Sequence, residues 1–167
     1  IYGFQWRHFN AEYKSYDTDY SGQGVDQLKK LVETLKTNPT DRRMIVAAWN
    51  PVMQDQMALP PCHYLFQVVV TGKRLNLMWN QRSVDVMLGL PFNIASYALL
   101  LHLLAKEAGL GEGKLVGFLG DTHIYQNHFD QVRRQLKREP YPLPTIRLNP
   151  AVKNINEFTM DDIQLEN

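Results

Sequence analysis

Two apolar runs joined by a short turn constrain the fold of this chain more than any other feature of its sequence. The runs cover 64–70 and 74–80, they are rich in aromatic and β-branched residues, and Thr71-Gly72-Lys73 separates them. Runs of this composition on either side of a glycine-containing turn are typical of strands that belong to one sheet. The sequence therefore predicts a β-sheet built around this pair.

Polar and reactive residues flank the two predicted strands. Cys62, the single cysteine of the chain, directly follows Pro60 and Pro61. Because a proline fixes its own φ and favours an extended conformation in the residue before it, we expect Cys62 to be held at the entrance of the first strand. The second strand runs into Gln81-Arg82-Ser83-Val84-Asp85. Polar side chains that gather at the end of a buried strand predict a site there.

A lone cysteine has two interpretations. Most such residues are small buried hydrophobic side chains without a chemical role. The other interpretation is a catalytic nucleophile, which reacts as the thiolate and is favoured by nearby cations. Arg82, Arg42 and Arg43 could supply those cations, although the sequence does not show that they lie near Cys62. Both interpretations stay open at this point.

The composition favours one domain and argues against several functional classes. At 167 residues the chain is long enough for one domain with a substantial core, and nothing in its composition marks a second. The net charge is +1 and no basic run carries interleaved aromatic residues, so binding to DNA or another nucleic acid is not indicated. Cys62 and the adjacent His63 lack the spaced partners of a zinc site, so we expect no metal.

The same features predict a soluble cytoplasmic protein. A single cysteine excludes an internal disulfide framework and fits a reducing compartment. We identify no signal peptide, and the longest apolar stretch, 94–105, contains Ser96 and His102 and is too short to span a bilayer. We therefore expect no association with a membrane.

Periodicity and turn residues predict the remaining elements. Apolar positions at helical spacing indicate helices, and short apolar runs between turn residues indicate strands. The predicted elements are an amphipathic surface helix over 25–36, a strand buried on both faces over 44–49, a central buried helix over 94–107, a strand over 114–119, a helix over about 123–137 and a short strand over 145–148.

Several polar residues have an ordinary interpretation beside a functional one. Asn93 precedes a predicted helix, where its most frequent role is that of an N-cap. Arg42 and Arg43 are either a solvated turn or two guanidinium groups presented to a phosphate. His123 and Tyr125 lie two residues apart, so they face one ligand only if the chain there is not fully helical.

Four blocks of the sequence together resemble the signature of the thymidylate synthases. Shorter matches at 2–7, 41–43 and 138–140 extend the resemblance over essentially the whole chain. The four blocks are Leu59-Pro60-Pro61-Cys62-His63, Gln81-Arg82-Ser83-Val84-Asp85, Gly89-Leu90-Pro91-Phe92-Asn93-Ile94-Ala95-Ser96-Tyr97 and Gly120-Asp121-Thr122-His123-Ile124-Tyr125.

The resemblance implies a fold and an activity. The expected fold is α/β (α+β), with a large mixed β-sheet packed by helices, and residues 1–167 form a single catalytic domain that is incomplete at both ends. The expected enzyme is a methyltransferase of nucleotide biosynthesis and an obligate homodimer. It converts deoxyuridine monophosphate (dUMP) to dTMP by reductive methylation with methylenetetrahydrofolate.

The resemblance also implies roles for individual residues. A thiolate at Cys62 adds to carbon six of the uracil ring, Tyr2 lies near the thiol, and Asp85 orders the pterin and water. The implied substrate-binding residues are Arg82 and Ser83 on the phosphate, Arg42 and Arg43 on the phosphate of the partner subunit, His123 and Tyr125 on the ribose, Asn93 on the base edge, and Gln81. The implied folate-binding residues are Asp85, Leu88, Gly89 and Phe92.

The sequence departs from the family pattern in two respects. Asn80 stands where the family usually has tyrosine, and Val68 and Val69 replace the usual aromatic residues, so we expect different packing behind the site. The family's N-terminal third, with a phosphate-binding arginine loop, a catalytic glutamate and a pocket tryptophan, has no counterpart in the sequence. The same holds for its C-terminal closing tail.

Three alternative functions stay open. A nucleotide hydroxymethylase of the same superfamily ends the reaction with water rather than hydride. A cysteine hydrolase built on Cys62 and one of the five histidines would leave the blocks around Arg82 and Asn93 unexplained. A non-catalytic remnant of a synthase would bind nucleotide or RNA without turnover.

Overall fold

The strand pair predicted from the sequence lies at the centre of a four-stranded sheet in the computed structural model, which describes residues 1–166. The strands of this sheet are β1 (Ile45–Ala47), β2 (His63–Thr71), β3 (Arg74–Asp85) and β4 (Gly111–His123), in that order across the sheet. The pairs β1–β2 and β2–β3 are antiparallel, and β3–β4 is parallel. The mixed sheet confirms the predicted α+β class.

Helices cover one face of this sheet. They are α1 (Tyr2–Arg7), α2 (Gln27–Thr37) and α3 (Gly89–Ala108). The short helix α4 (Phe129–Gln135) has no buried residue, and a separate hairpin is formed by β5 (Thr145–Leu148) and β6 (Ile163–Glu166). Short 3-10 segments occur at Pro51–Gln56, Gln126–His128, Ile155–Glu157 and Met160–Asp162. In the described part of the chain, no helix has the length and apolarity needed to cross a membrane.

The core lies between the sheet and helices α2 and α3. Phe66, Val68 and Leu77 from the sheet are fully buried against Leu35 and Leu104 from the helices. Each such side chain contributes roughly 1.5–3 kcal/mol by leaving water. The predicted amphipathic helix over 25–36 is confirmed as α2, and its first turn is capped by Asp26, whose carboxylate accepts a hydrogen bond from the Lys29 amide at 2.9 Å.

The prediction of an interior strand over 44–49 is wrong. The strand β1 is only three residues long and lies at the edge of the sheet. Met44, Val46 and Ala48 are buried beneath α2, but Ile45 is 45% exposed on the other face. A continuous apolar run does not distinguish a strand covered on both faces from an edge strand whose second face is open.

Helix α3 also differs from its prediction. It begins at Gly89, five residues before the predicted start at Ile94, because proline is tolerated in a first turn and Pro91 does not stop it. Tyr97 and Leu101 are buried, whereas Phe92 is 74% and Ile94 is 44% exposed. The helix is therefore not central: the described residues pack against only one of its sides.

The end of β4 corrects a third prediction. The helix predicted over 123–137 is replaced by a longer strand, a single turn and the short helix α4. His123 is the last residue of β4 and pairs with Asp85, so ladder pairing with β3 overrides the local helical pattern. The strand over 145–148 is confirmed as β5, and its antiparallel partner β6 was not predicted.

The expectation of altered packing behind the site is wrong for Asn80. Its neighbours across the sheet are Leu65 and Phe118, and Phe118 is 55% exposed. Because side chains alternate along a strand, Asn80 lies on the open face, opposite to Trp79 and Gln81, which are buried. The departure at Asn80 therefore changes the outer surface of the sheet.

The strand order brings three chain segments to one end of the sheet. His63 at the start of β2 pairs with Gln81 near the end of β3. Because β3 and β4 are parallel, their carboxyl ends also meet, with Ser83 beside Asp121. Three of the four sequence blocks thus converge at this end, and α3, which carries the fourth, starts there.

Candidate active site

The backbone of Cys62 is held on both sides at the entrance of β2, as predicted. Its amide donates a hydrogen bond to the Tyr2 hydroxyl at 2.9 Å, and its carbonyl accepts one from the Arg82 amide at 2.9 Å. Pro61 is fully buried and Cys62 is partly exposed. The main chain of Cys62 is therefore fixed by two separate segments of the protein, while the residue stays partly exposed.

The Arg82 side chain lies against the thiol. Its Nε donates to the Pro61 carbonyl at 3.0 Å, and Nη2 donates to the Pro60 carbonyl at 2.8 Å. The same Nη2 lies 3.9 Å from Cys62 Sγ. Two carbonyls thus hold the guanidinium in place, and its positive charge lies beside the Cys62 sulfur.

Three neutral aromatic rings line the site beside the thiol. The rings of Tyr2 and His63 stack with centroids 3.9 Å apart, and His63 Nδ1 lies 2.8 Å from the Tyr97 hydroxyl. Burial lowers the pKa of His63 to about 4, so the imidazole is neutral at physiological pH. Burial also raises the pKa of Tyr2 and of Tyr97, which keeps both hydroxyls protonated.

Two amide side chains meet beside the aromatic rings. Gln81 is 4% exposed, and its Nε2 donates to Asn93 Oδ1 and to the Ser83 carbonyl, each at 3.0 Å. Asn93 lies inside α3 rather than before it, so its interpretation as an N-cap is wrong. With Oδ1 turned to Gln81, the Nδ2 group of Asn93 lies on the other side of its amide.

Asp85 organises the start of α3. Its Oδ1 accepts hydrogen bonds from the amides of Met87 at 3.0 Å and Leu88 at 3.2 Å. Gly89 lies between this carboxylate and the amide pair, because a Cβ placed on it would lie 3.5 Å from Asp85 Cβ and 3.9 Å from Asn93 Oδ1. Gly89 thus lies close to both the Asp85 side chain and the Asn93 amide oxygen.

Leu88 and Phe92 form an apolar rim outside that carboxylate. Leu88 is 56% exposed and Phe92 is 74% exposed. The two side chains therefore expose apolar surface beside the start of α3.

His123 and Tyr125 face each other at the end of β4. Their rings make an edge contact with centroids 5.1 Å apart, and His123 Nδ1 lies 2.9 Å from an Asp121 carboxylate oxygen. The extended backbone between them resolves the difficulty of their two-residue spacing, because neither residue is helical. His123 lies at the carboxyl end of the parallel pair, on the same face as Ser83, and Tyr125 follows it by two residues.

Arg42 and Arg43 are not part of this constellation in one chain. Both are exposed, Arg43 pairs with Asp41 at 3.0 Å, and the Arg42 carbonyl accepts a hydrogen bond from Gln67. Gln67 is five residues from Cys62 along β2, which corresponds to roughly 16 Å at about 3.3 Å per residue. Within one protomer the two arginines are therefore remote from the thiol.

Sequence reasoning missed the residues behind the site. Trp79, His63 and Tyr97 received no role, although Trp79 and Gln81 share a strand face by simple alternation. Asp121 was also missed as the partner of His123. In the described range, residues 1–166, no three His, Cys, Asp or Glu side chains converge as a group that could hold a metal ion.

Comparison with known proteins agrees with this arrangement. The family model described as thymidylate synthase matches residues 1–167. Human thymidylate synthase is 52% identical over 166 residues, covering 99% of this chain and 53% of the human protein. The Saccharomyces cerevisiae thymidylate synthase is 49% identical over 175 residues, covering 99% of this chain and 58% of its own length.

A fused relative shows the same similarity. The bifunctional dihydrofolate reductase-thymidylate synthase of Paramecium tetraurelia is 52% identical over 165 residues, covering 99% of this chain and 36% of that protein. The chain thus spans about half the length of its single-function relatives and less of the fused one. Because the family model covers every residue of the chain, the chain belongs to the thymidylate synthase family.

Proposed function

We propose that the chain carries the nucleophile and the base-reading part of a thymidylate synthase, a methyltransferase that converts dUMP to dTMP with methylenetetrahydrofolate as co-substrate. The observation that carries this proposal is the Arg82 guanidinium 3.9 Å from Cys62 Sγ. This contact lies at the same end of the sheet as the Gln81–Asn93 amide pair. A charge-stabilised thiolate beside a base-reading amide suits covalent chemistry on a pyrimidine.

The first step is nucleophilic addition. The Cys62 thiolate donates an electron pair to carbon six of uracil, and the π pair of the ring double bond moves through carbon five onto the oxygen of carbon four. The resulting enolate makes carbon five nucleophilic. Arg82, bound to two backbone carbonyls, stabilises the thiolate before the attack.

Asn93 recognises the base edge. A neutral amide can donate to the carbonyl oxygen on carbon four and accept from the adjacent ring N–H, a pattern that cytosine reverses. The bond from Gln81 turns the Asn93 oxygen in one direction and so fixes which atom donates. A donor at the carbon-four oxygen also stabilises the enolate formed on addition.

The phosphate and the ribose lie along the carboxyl ends of β3 and β4. Ser83 and Arg82 offer a hydroxyl and a guanidinium for the phosphate, and His123 and Tyr125 offer polar groups for the ribose. The mutual approach of Ser83 and the Asp121–His123 pair across the parallel ladder supports this division.

The rim at the start of α3 fits the folate. Exposed Leu88 and Phe92 provide apolar contact for a flat heterocycle, and Gly89 leaves room beside the Asp85 carboxylate, which orders polar ring atoms and water. Methylenetetrahydrofolate supplies the one-carbon unit and the hydride. Tyr2, whose hydroxyl is bound to the Cys62 amide, stays protonated and positions the thiol.

The enzyme acts as a homodimer in which Arg42 and Arg43 bind the phosphate of the partner subunit. Two observations support this part of the proposal. The Arg42 carbonyl contacts Gln67, which lies roughly 16 Å along β2 from Cys62, so the two arginines are placed away from the thiol of their own chain. The open face of the sheet exposes Ile45, Val116 and Phe118 at 45%, 38% and 55%, an apolar surface suited to a second copy.

A reducing location belongs to the same proposal. A catalytic thiol that is partly exposed must be kept from oxidation, and the cytoplasm provides that environment. We propose a cytoplasmic enzyme whose residues 1–167 act as one domain.

The arrangement around Cys62 does not suit a cysteine hydrolase. Such an enzyme needs an imidazole that takes the proton of the thiol. His63 instead stacks on Tyr2 and bonds to Tyr97, and in residues 1–166 the side chain recorded against the sulfur is that of Arg82.

Product analysis tests the proposal. The full-length protein is incubated with dUMP and methylenetetrahydrofolate, and both the nucleotide and the folate product are measured. The formation of dihydrofolate is monitored by its absorbance. Appearance of dTMP with an equal amount of dihydrofolate supports the synthase. Hydroxymethylated nucleotide with tetrahydrofolate identifies the hydroxymethylase, and nucleotide binding without turnover identifies the non-catalytic remnant.

A further inference from the structure

Trp79 lies directly behind the amide pair and has no assigned role. It is 4% exposed, on β3, and its indole Nε1–H donates to Gln81 Oε1 at 3.2 Å. Gln81 in turn donates to Asn93. The N–H of a buried indole ordinarily has a hydrogen-bond partner, and here that partner is an amide of the candidate site.

The indole imposes a direction on both amides. An indole N–H is a donor only, so the Gln81 atom that faces it must be oxygen. The Gln81 nitrogen then faces Asn93, which must present its own oxygen in return. The Ser83 carbonyl, an acceptor, favours the same orientation of Gln81.

The indole itself cannot turn. One face stacks on Tyr97 at an interplanar angle of 12°, with centroids 5.5 Å apart. The ring edge fills the space over Gly117 on β4, where an added Cβ would lie 2.5 Å from Trp79 Cζ2. Stacking and this glycine gap together fix the direction of the N–H.

We propose that Trp79 is a positioning residue that sets the preference for uracil over cytosine by orienting the Asn93 amide through Gln81. The inference rests on the proposed function, in which Asn93 reads the base edge. Trp79 does not touch the base, so its removal changes the choice between nucleotides rather than the chemistry at Cys62.

The test compares kcat/KM for dUMP and for deoxycytidine monophosphate (dCMP) in Trp79→Phe, in the full-length protein. Phenylalanine keeps an aromatic ring against Tyr97 but lacks the N–H. Losing one neutral hydrogen bond of about 0.5–1.5 kcal/mol should lower the dUMP-over-dCMP ratio by about two- to tenfold. Trp6→Phe is the matched control, because Trp6 packs near Tyr97 outside the amide pair and should leave the ratio unchanged.

A second variant acts from the neighbouring strand. Gly117→Ala pushes the indole without altering Trp79, Gln81 or Asn93, and it should lower the ratio in the same direction. Gly113→Ala is its control. The new Cβ would lie 2.5 Å from Asn76 Oδ1 and 2.6 Å from the Leu75 carbonyl oxygen, a clash at least as severe on the same strand, away from Trp79.

The outcomes separate the two levels of the argument. A ratio that falls in Trp79→Phe and Gly117→Ala, but not in the controls, supports the inference. If both nucleotides lose activity equally and the ratio is unchanged, Trp79 is structural and the inference is overturned. If the unmodified protein neither binds nor converts dUMP, the proposed function fails first.

Discussion

The two sides of the candidate site are built differently. On the thiol side, the Cys62 backbone bonds to Tyr2 and to Arg82 at 2.9 Å, and the Arg82 side chain bonds to the carbonyls of the two preceding prolines at 2.8 and 3.0 Å. On the outer side, Leu88, Phe92 and Tyr125 are more than half exposed. The thiol side is fixed before any ligand arrives, whereas the outer side is open to one.

This difference separates chemistry from binding. Groups that must meet a reacting atom in one geometry gain from being held rigidly, because preorganisation removes its cost from the reaction step. Groups that bind the phosphate, ribose or folate contribute affinity once the ligand covers them. Substitutions on the thiol side should therefore lower kcat, and substitutions on the outer side should raise KM or Kd.

The largest effect is expected for Cys62→Ala. Turnover should fall to the background of the assay, because no other described side chain lies where it could replace the sulfur. The fold should persist, since alanine fills most of the volume of cysteine. Kinetics measure the loss, and circular dichroism with thermal unfolding tests the fold. If this variant retained turnover of dUMP, Cys62 would not be the nucleophile, and the assignment of the chemistry to the thiol side would be wrong.

The second-largest effect is expected for Arg42 and Arg43, which belong to the outer side of the partner subunit's site in the proposed dimer. Charge-assisted hydrogen bonds contribute roughly 1.5–3 kcal/mol each, so the double alanine variant should bind dUMP at least about a hundredfold more weakly. Titration calorimetry measures the Kd. Arg147→Ala, which removes an exposed arginine paired with Glu166, is the control and should bind normally.

Mixed dimers sharpen this prediction. Subunits with Cys62→Ala are inactive, and subunits with both arginine substitutions have little activity at dUMP concentrations far below their raised Kd. A hybrid dimer contains one site with neither lesion. Activity should return after subunit exchange, which native mass spectrometry verifies. Exchange without any return of activity means that the arginines act within their own chain.

Asn93→Asp tests the residue that lies between the two sides, because its amide is bonded to Gln81 and contacts the base in the proposed complex. Aspartate can accept but not donate when ionised, so the preference for dUMP over dCMP should fall by roughly ten- to hundredfold, the equivalent of about 1–3 kcal/mol for one mispaired group. The ratio of kcat/KM values measures it. Asn76→Asp, remote from the site on the same sheet, should keep the original preference.

The smallest expected effect is a dependence of the unfolding free energy on pH, caused by His63 on the thiol side. Burial lowers the pKa of His63 to about 4, whereas the unfolded chain protonates this imidazole near 6.5. Between these values the unfolded state binds more protons, so the contribution of His63 to stability falls as pH falls.

His63→Asn should therefore reduce the loss of unfolding free energy between pH 7 and pH 4.5, measured by urea denaturation at each pH. His8→Asn, at the partly exposed end of α1, serves as the control for removing a histidine. If the unfolding free energy of the His63 variant depends on pH as that of the unmodified protein does, this imidazole titrates normally. The thiol side is then more hydrated than the structure indicates.

The sequence predicted local features of this fold well. These features depend on neighbouring residues. The two prolines fix the backbone at Cys62, and the spacing of Leu28, Leu31 and Leu35 indicates helix α2. Burial was predicted less well. Both Ile45 and Phe92 belong to apolar segments, and only the packing of distant elements determines which side of such a segment is open.

Long-range pairing accounts for the remaining differences. His123 belongs to a strand because Asp85 pairs with it across the ladder, 38 positions earlier in the chain. Trp79 acquires a possible role only when α3 brings Asn93 next to Gln81. The candidate residues themselves were recognised from the sequence blocks, whereas the groups that hold them became visible only in three dimensions.

The central claim is that Cys62, held beside Arg82, is the nucleophile that adds to the pyrimidine ring. The most direct test is to incubate the full-length protein with 5-fluoro-dUMP and methylenetetrahydrofolate and to locate any covalent adduct by peptide mass spectrometry. We expect one adduct per site, on the peptide that contains Cys62, and none in Cys62→Ala. An adduct on another residue, or turnover of dUMP without any adduct to the fluorinated nucleotide, would contradict the account.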